Sequence, residues 1–383
     1  MRVTGIRDAG RARRATPSLP REVRADLQAG PRSTQRKFNA NTLDEWESHL
    51  LKRLRVRTGR LLGLATLVAH LLCAAAVADL LTPLPPVSPI KVRKPHHGMQ
   101  MVVGPVTVPH GSEVTQCTFF KAPIEHNMAV DRVRIEVAGG SHHIHLYRPV
   151  DRSLLVPDQH MVCNFALNFD VWQLILASQN TSLDWKLPRG VAFMFRKHEQ
   201  LVAQTHFVDN GLLATPADGW ATFNLYAMHR RNVKSFAGAF FGQDRDVLVP
   251  PHSTAEATTR CVFPHPVKLL ALTGHYHFRG KQFQANAWDG TNTGELLYLF
   301  NGYTEPVFKR FDGKRFGHRQ PEIPGIEWTC RYENDTDQTF KFGPFTDKNE
   351  HCNLFGFYYP AKGKDEFMTC VQKNDVVTVN VTH

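Results

Sequence analysis

His275-Tyr276-His277 sets two imidazoles either side of one residue. The surrounding run Leu269–Phe278, LLALTGHYHF, is apolar and reads as a strand. Alternate residues of a strand share a face, so the two rings are expected side by side, as a transition-metal site requires. A second cluster, Ser141-His142-His143-Ile144-His145, lies in another strand-like run. There His143 and His145 share a face, while the adjacent His142 and His143 need a bulge or twist to reach one ion. The sequence leaves open whether His142 or His145 is the ligand beside His143. His206 stands in a third such run, Leu201–Phe207, and His351 directly precedes Cys352. Neutral imidazole suits zinc, copper, iron and nickel alike. Two histidine clusters in one chain point to two metal ions, and so to redox chemistry or metal storage. No CxxC pair and no HExxH motif occurs, which argues against zinc ribbons and zincin proteases. A Gly-rich phosphate loop and a GxSxG elbow are missing too.

The elements that must position these rings read as strands. Val133–Val137, Trp220–Tyr226, Val267–Leu272, Leu296–Phe300 and Val376–Val381 are short runs rich in β-branched and aromatic residues, broken by Gly, Pro, Asp and Asn. Many short strands with turn signals predict an all-β fold of sandwiches or barrels. The best helix candidate is Phe169–Gln179, FDVWQLILASQ. A boundary near Arg230-Arg231-Asn232 would give a β domain over 99–230 and a second over 231–383, with one histidine cluster in each. No internal repeat of fixed period is found.

The N-terminal region has a different composition. Residues 1–60 hold 15 of the 46 Lys and Arg and 6 of the 35 Asp and Glu, so +9 of the +11 net charge lies there and only +2 beyond. The folded part is therefore not expected to bind nucleic acid. The basic stretch over 1–60, rich in Arg, Pro, Gly and Ser towards its start, reads as a disordered tail. Residues 61–78, LLGLATLVAHLLCAAAVA, form an apolar run preceded by Lys52, Arg53, Arg55, Arg57 and Arg60. Residues 61–81 are expected to be a signal peptide cut near Ala76-Val77-Ala78, or an uncleaved membrane anchor. Either way the bulk of the chain is translocated into the secretory pathway. A Pro-rich linker, 82–98, follows. Three sequons, at Asn180, Asn334 and Asn380, are glycosylation candidates on the translocated side. Six cysteines lie there as well: Cys117, Cys163, Cys261, Cys330, Cys352 and Cys370. Their even number fits three disulfides, of 15 connectivities that six cysteines allow.

In order along the chain come the paired histidines of Ser141–Leu146, the QxH strand Leu201–Phe207, GHYHFRGK over Gly274–Lys281, HCNLFGFYY over His351–Tyr359 and FMTCVQ over Phe367–Gln372. Leu187–Phe193 adds an LPxGVxF stretch before the QxH strand. Taken together over about residues 100–383, these motifs resemble the copper type II, ascorbate-dependent monooxygenases, which include the peptidylglycine α-hydroxylating and dopamine β-hydroxylating enzymes. The resemblance implies two consecutive antiparallel, jelly-roll-like β sandwiches facing each other across a wet cleft. It implies the disulfides Cys261–Cys370 and Cys330–Cys352, leaving Cys117 to pair with Cys163 by default. It assigns His142, His143 and His206 to one copper, and His275, His277 and His351 to a second, catalytic one. The implied reaction takes electrons from ascorbate and uses O2 to hydroxylate a C–H bond of a small-molecule or peptide substrate.

Two positions depart from the family pattern. Where the family completes its second copper site with Met, this chain has His351. A thioether favours Cu(I), whereas imidazole binds both oxidation states, so the redox balance changes. Where the peptide-hydroxylating branch has a carboxylate-binding Arg, this chain has Thr273, and the family's Tyr near the substrate-contacting Asn353 is Phe355. A peptide ending in glycine is thus not the expected substrate. Two other readings stand beside the enzyme: a non-catalytic copper-binding protein of the same fold, and an extracellular interaction module.

Overall fold

The computed structural model describes residues 91–382 apart from 121–123, 152, 158–159, 164–167, 210–216, 312–321 and 364–365. The basic tail over 1–60, the segment 61–81 and most of the linker lie outside these residues, as does Cys73. Among the described residues no helix is long and apolar enough to cross a membrane.

The described chain is all-β, with one short 3-10 turn, Arg230–Asn232, between its two halves. In the first half, one sheet runs in the order Gly98–Val108, Ala217–Met228, Met128–Ala138, Val191–Phe195, Ser235–Phe236, with Ser182–Lys186 also paired to Met128–Ala138. A second sheet runs His160–Val162, Glu113–Phe119, Val202–Val208, Ser141–Pro149, Trp172–Ser178. Strands from Gly238 onward build a nine-stranded sheet. Pairing is antiparallel except where Gly238–Asp244 meets Phe367–Lys373 and Ser235–Phe236 meets Val191–Phe195, both parallel.

The expected strands form. The exception to the sequence reading is Phe169–Gln179, which is the strand Trp172–Ser178 and not a helix. Every residue of that strand is buried. With both faces covered, the period-2 signal disappears, and a short apolar run cannot be told from a helix by pattern.

The nine-stranded sheet folds over on one strand, Ser253–His275. Its first part pairs with Ile323–Asn334 and its last part with Cys352–Tyr359. The changeover falls where the register breaks, between Val262 and Val267. Pro264 and Pro266 lie in that gap; proline has no N–H to give the ladder and is confined to such breaks. Beyond the bend the strand delivers His275 at its end.

The sheets change over between Phe236 and Gly238, near the boundary read at 230/231, yet Leu80–His383 forms one compact unit. The reason is a shared core. Trp185, Phe193 and Phe223 of the first half pack in one cluster with Phe241, Phe355, Phe357 and Phe367 of the second. Each such ring stabilises by about 1.5–3 kcal/mol on burial. A separate cluster around Trp328, Phe283 and Phe240 lies within the second half.

All three disulfides are present. Cys117 joins Cys163, Cys261 joins Cys370 and Cys330 joins Cys352, with Cα–Cα separations of 5.9, 6.3 and 5.8 Å. Such bonds fit a chain that folds in an oxidising compartment, as secreted proteins do. The sequons divide. Asn380 is exposed on the edge strand Val376–Thr382. Asn180 is half-buried, and its amide donates to Pro306 O at 3.1 Å. Asn334 is 2% exposed and its amide donates to both Pro250 O and Gln338 O at 2.7 Å. A glycan on Asn334 is incompatible with this fold, so that sequence expectation is corrected.

Candidate metal centre

The Ser141–Pro149 strand starts from a tight corner. Gly140 has φ +51°, and a Cβ there would stand 2.2 Å from Val208 O, so only glycine fits. Its register against Val202–Val208 then slips between Ser141 and His143. This is the irregularity that adjacent ligands need: it brings both His142 and His143 to His206, with ring centroids 5.1 and 4.9 Å away. His143 and His206 are direct cross-strand partners.

The HxH pair is built differently from the sequence expectation. The strand ends at His275, and Tyr276 and His277 lie beyond it. His277 N donates to the buried Glu350 Oε2 at 2.9 Å in place of a neighbouring strand, and Arg279 N donates to Oε1 at 2.8 Å. The carboxylate thus replaces a sheet edge and holds the turn that presents His277. Burial pushes Glu350 up to about 7 against these donors. His275 and His277 still lie near each other, with ring centroids 5.4 Å apart.

The two histidine clusters do not face each other across an open cleft. His142 lies 4.9 Å from His275 and 5.6 Å from His277, and His143 lies 5.3 Å from His275. His351 lies 4.3 Å from His277 and 5.3 Å from His275. His145 stacks on His143 at 4.5 Å. Two sets have their nitrogens within 4.8 Å of one another: His142 with His143 and His206, and His142 with His275 and His277. The second differs from the sequence expectation, which gave that place to His351. His145 and His351 fall outside both sets.

Whether these residues suit a metal is decided by their nitrogens. Seven rings each leave one buried nitrogen without a hydrogen-bond partner among the described residues: His142 Nε2, His143 Nδ1, His145 Nε2, His206 Nδ1, His275 Nε2, His277 Nε2 and His351 Nδ1. Each buried polar atom left unmade costs about 1–3 kcal/mol, and seven converging in one place fit a metal-binding site. In four of the seven the opposite nitrogen is tied. His206 Nε2 donates to Glu113 Oε2 at 3.0 Å, His275 Nδ1 to Gln179 Oε1 at 2.6 Å, His277 Nδ1 to Asn349 O at 2.9 Å and His145 Nδ1 to Gln204 Oε1 at 3.0 Å. Fixing one nitrogen as N–H turns the lone pair of the other inward, the usual support for a ligating histidine. Burial, followed by the neighbouring imidazoles, holds His142, His143, His275 and His351 far below the usual histidine range. Burial also takes His145 and His277 to about 4. At neutral pH these rings are uncharged, the form that binds metal.

Gln179, Glu113, Asn349 and Glu350 carry no motif, and sequence reasoning missed them. Two of them cross between the halves. Gln179 follows a first-half strand, yet it orients His275 and donates to Gly274 O at 2.7 Å. Glu113 accepts from Thr346 Oγ1 at 2.8 Å as well as from His206. Burial pushes its carboxyl up, but the hydrogen bonds from His206 and Thr346 outweigh that and leave it below the usual carboxylate range.

A cavity of about 490 Å³ reaches the centre, and His143, His145, His206, His275 and His351 stand on its wall. Phe169, Phe241, Phe342 and Phe355 give it apolar sides. Asn353, on the wall, has a buried Oδ1 with no partner among the described residues. Thr273 is fully buried and is not part of the wall.

No protein-family model and no curated protein matches this chain. Among solved structures, the chain is similar to PBCV-1 VP54 fitted into a reconstruction of the virophage Sputnik, with TM-score 0.22, 8% identity, and coverage of 70% of this chain and 96% of that one. It is similar to the major capsid protein P2 of bacteriophage PM2 with TM-score 0.22, 9% identity, and coverage of 69% and 100%. The PBSX exported protein XepA gives TM-score 0.21, 9% identity, and coverage of 72% and 94%. Likeness at this level carries no argument about function.

Proposed function

We propose that this chain is a copper-dependent monooxygenase that hydroxylates a C–H bond of a small-molecule or peptide substrate, using O2 and a reductant such as ascorbate. The observation that carries the reading is the convergence of seven buried imidazoles, each with one nitrogen unpartnered among the described residues, at the end of a cavity. The order of motifs along the chain supports it, because the rings come from four of the five stretches that carry the family resemblance.

Bound copper would supply one-electron exchange and O2 activation; the protein fixes ligands and excludes competing reactions. His142, His143, His206, His275, His277 and His351 are the residues to hold it. Glu113, Gln179 and Asn349 keep the lone pairs pointed inward. Phe241 and Phe355 give the cavity apolar surface beside the ligands, and the Oδ1 of Asn353, without a partner among the described residues, is positioned to accept a hydrogen bond from a substrate N–H or O–H. The cavity volume suits a small molecule or a side chain rather than a folded partner.

A second reading, a non-catalytic copper-binding protein, is favoured by one residue. His351 stands where the family has a thioether, and imidazole does not favour Cu(I) in the same way.

The test is copper content per chain after reconstitution, followed by O2 consumption with ascorbate against a substrate panel. Two reducible coppers with substrate-dependent O2 uptake are expected, the uptake being lost in His275→Ala. Two coppers with no uptake across the panel would favour the binding protein, and a chain that takes up no copper would overturn both readings.

A further inference from the structure

His142 is the one residue common to both compact sets. Its ring lies 5.4 Å from His143 and 5.1 Å from His206 on one side, and 4.9 Å from His275 and 5.6 Å from His277 on the other. It comes from the first half, while His275 and His277 come from the second. Its Nε2 is buried and has no partner among the described residues. Among the described residues no hydrogen bond ties its other nitrogen, in contrast to the tethered His206, His275 and His277.

We propose that His142 is a shared ligand, able to complete either the His143/His206 set or the His275/His277 set but not both at once. The inference rests on the reading of this centre as a copper site. The chemistry is simple. A neutral imidazole has one N–H and one lone pair, so it serves one ion at a time. Six histidines were assigned from sequence as two independent triads; the geometry makes them two pairs with a common third member.

The consequence concerns the cavity. When His142 completes the His143/His206 set, an ion held by His275 and His277 lacks its third imidazole from that side. A catalytic metal site keeps such a position for a reactant. His275 lines the cavity, so a ligand position left open beside it would be within reach of the cavity. His351 Nδ1 is the competing donor, since its ring is nearer to His277 than that of His142 is. The test must separate these two.

The experiment uses the purified full chain. Cu(I), titrated anaerobically against a chromophoric chelator, is compared for the wild type, His206→Ala, His277→Ala and His142→Ala. His206→Ala and His277→Ala are each expected to lose one tight equivalent and leave the other. His142→Ala is expected to weaken the first equivalent by about tenfold or more and to leave the second unchanged, because the second ion already lacks His142 in the wild type; added to His206→Ala or to His277→Ala, it is expected to weaken the remaining equivalent by about tenfold or more. A remaining equivalent that His142→Ala leaves unchanged in either background would overturn the sharing. A wild type that binds no Cu(I) would overturn the copper reading itself, and the sharing with it.

A second measurement does not depend on affinity. In the His206→Ala background one copper(II) remains, and pulsed EPR counts the imidazoles around it. Three are expected, falling to two when His142→Ala is added. Three remaining would show that His351 completes the set, and would end the proposal. Melting curves of the metal-free variants identify any that fail to fold; imidazole added to His142→Ala then restores the lost ligand if the pocket is intact.

Discussion

Glu113 and His206 stand two positions apart on paired strands, since Thr115 is the direct partner of His206. Such diagonal neighbours are within reach of long side chains, and here the reach aligns a ring rather than stabilising a sheet face. Glu113→Gln keeps the shape but replaces the carboxylate by an amide. Copper affinity of the His142/His143/His206 set is expected to fall about 10–100-fold, read by chelator competition, with the melting temperature of the metal-free protein little changed. Gln179→Leu should act in the same way on the His275/His277 set, although Gln179 belongs to the other half of the chain. Unchanged affinity in both variants would reduce these residues to packing. The ligand types were legible in the sequence because His-x-His in an apolar run is a local pattern. The residues behind them were not: Glu113 lies 93 positions from His206 and Gln179 lies 96 from His275. No local signal joins residues that meet only after the sheets have assembled.

Two elements carry the centre, and each fails to be an ordinary strand where it does so. The His142 strand slips its register at the ligands. The His275 strand stops at its first ligand, and a buried carboxylate takes over the backbone of the second. Alternation therefore identified the strands but misjudged how His277 is presented. The same rule failed for Trp172–Ser178, which is covered on both faces and has no alternation to read. Close packing behind His275 gives a direct test. A Cβ on Gly274 would stand 2.5 Å from the Phe283 ring. Gly274→Ala is expected to cost about 1–3 kcal/mol by overpacking, seen as a lower denaturant midpoint. It should also loosen metal binding at His275 while leaving His206 untouched. A midpoint equal to that of the wild type would mean that the Phe283 ring moves aside freely.

At the scale of the molecule, the disulfides and the seam between halves share the task of fixing the long bent strand. Cys261, just before the bend, is tied to Cys370 across 109 residues of chain. Replacing both by Ala is expected to destabilise the protein by about 2–5 kcal/mol, measured as a fall in melting temperature. Retained wild-type stability would assign the bend to its prolines and packing alone. The sequence marked the change of sheet near residue 230 but not the continuous core across it, since aromatic residues do not state which neighbours they will meet. One further feature bears on how the protein behaves in a tube. Val376–Thr382 is the last strand of the nine-stranded sheet, and Val376 is 62% exposed. An uncovered edge of this kind is where chains add to one another and aggregate. Asn380 stands on that edge, so a sugar attached there would act as a guard against self-association. If Asn380 carries a sugar, chains made without it are expected to be less soluble at high concentration with their melting temperature unchanged.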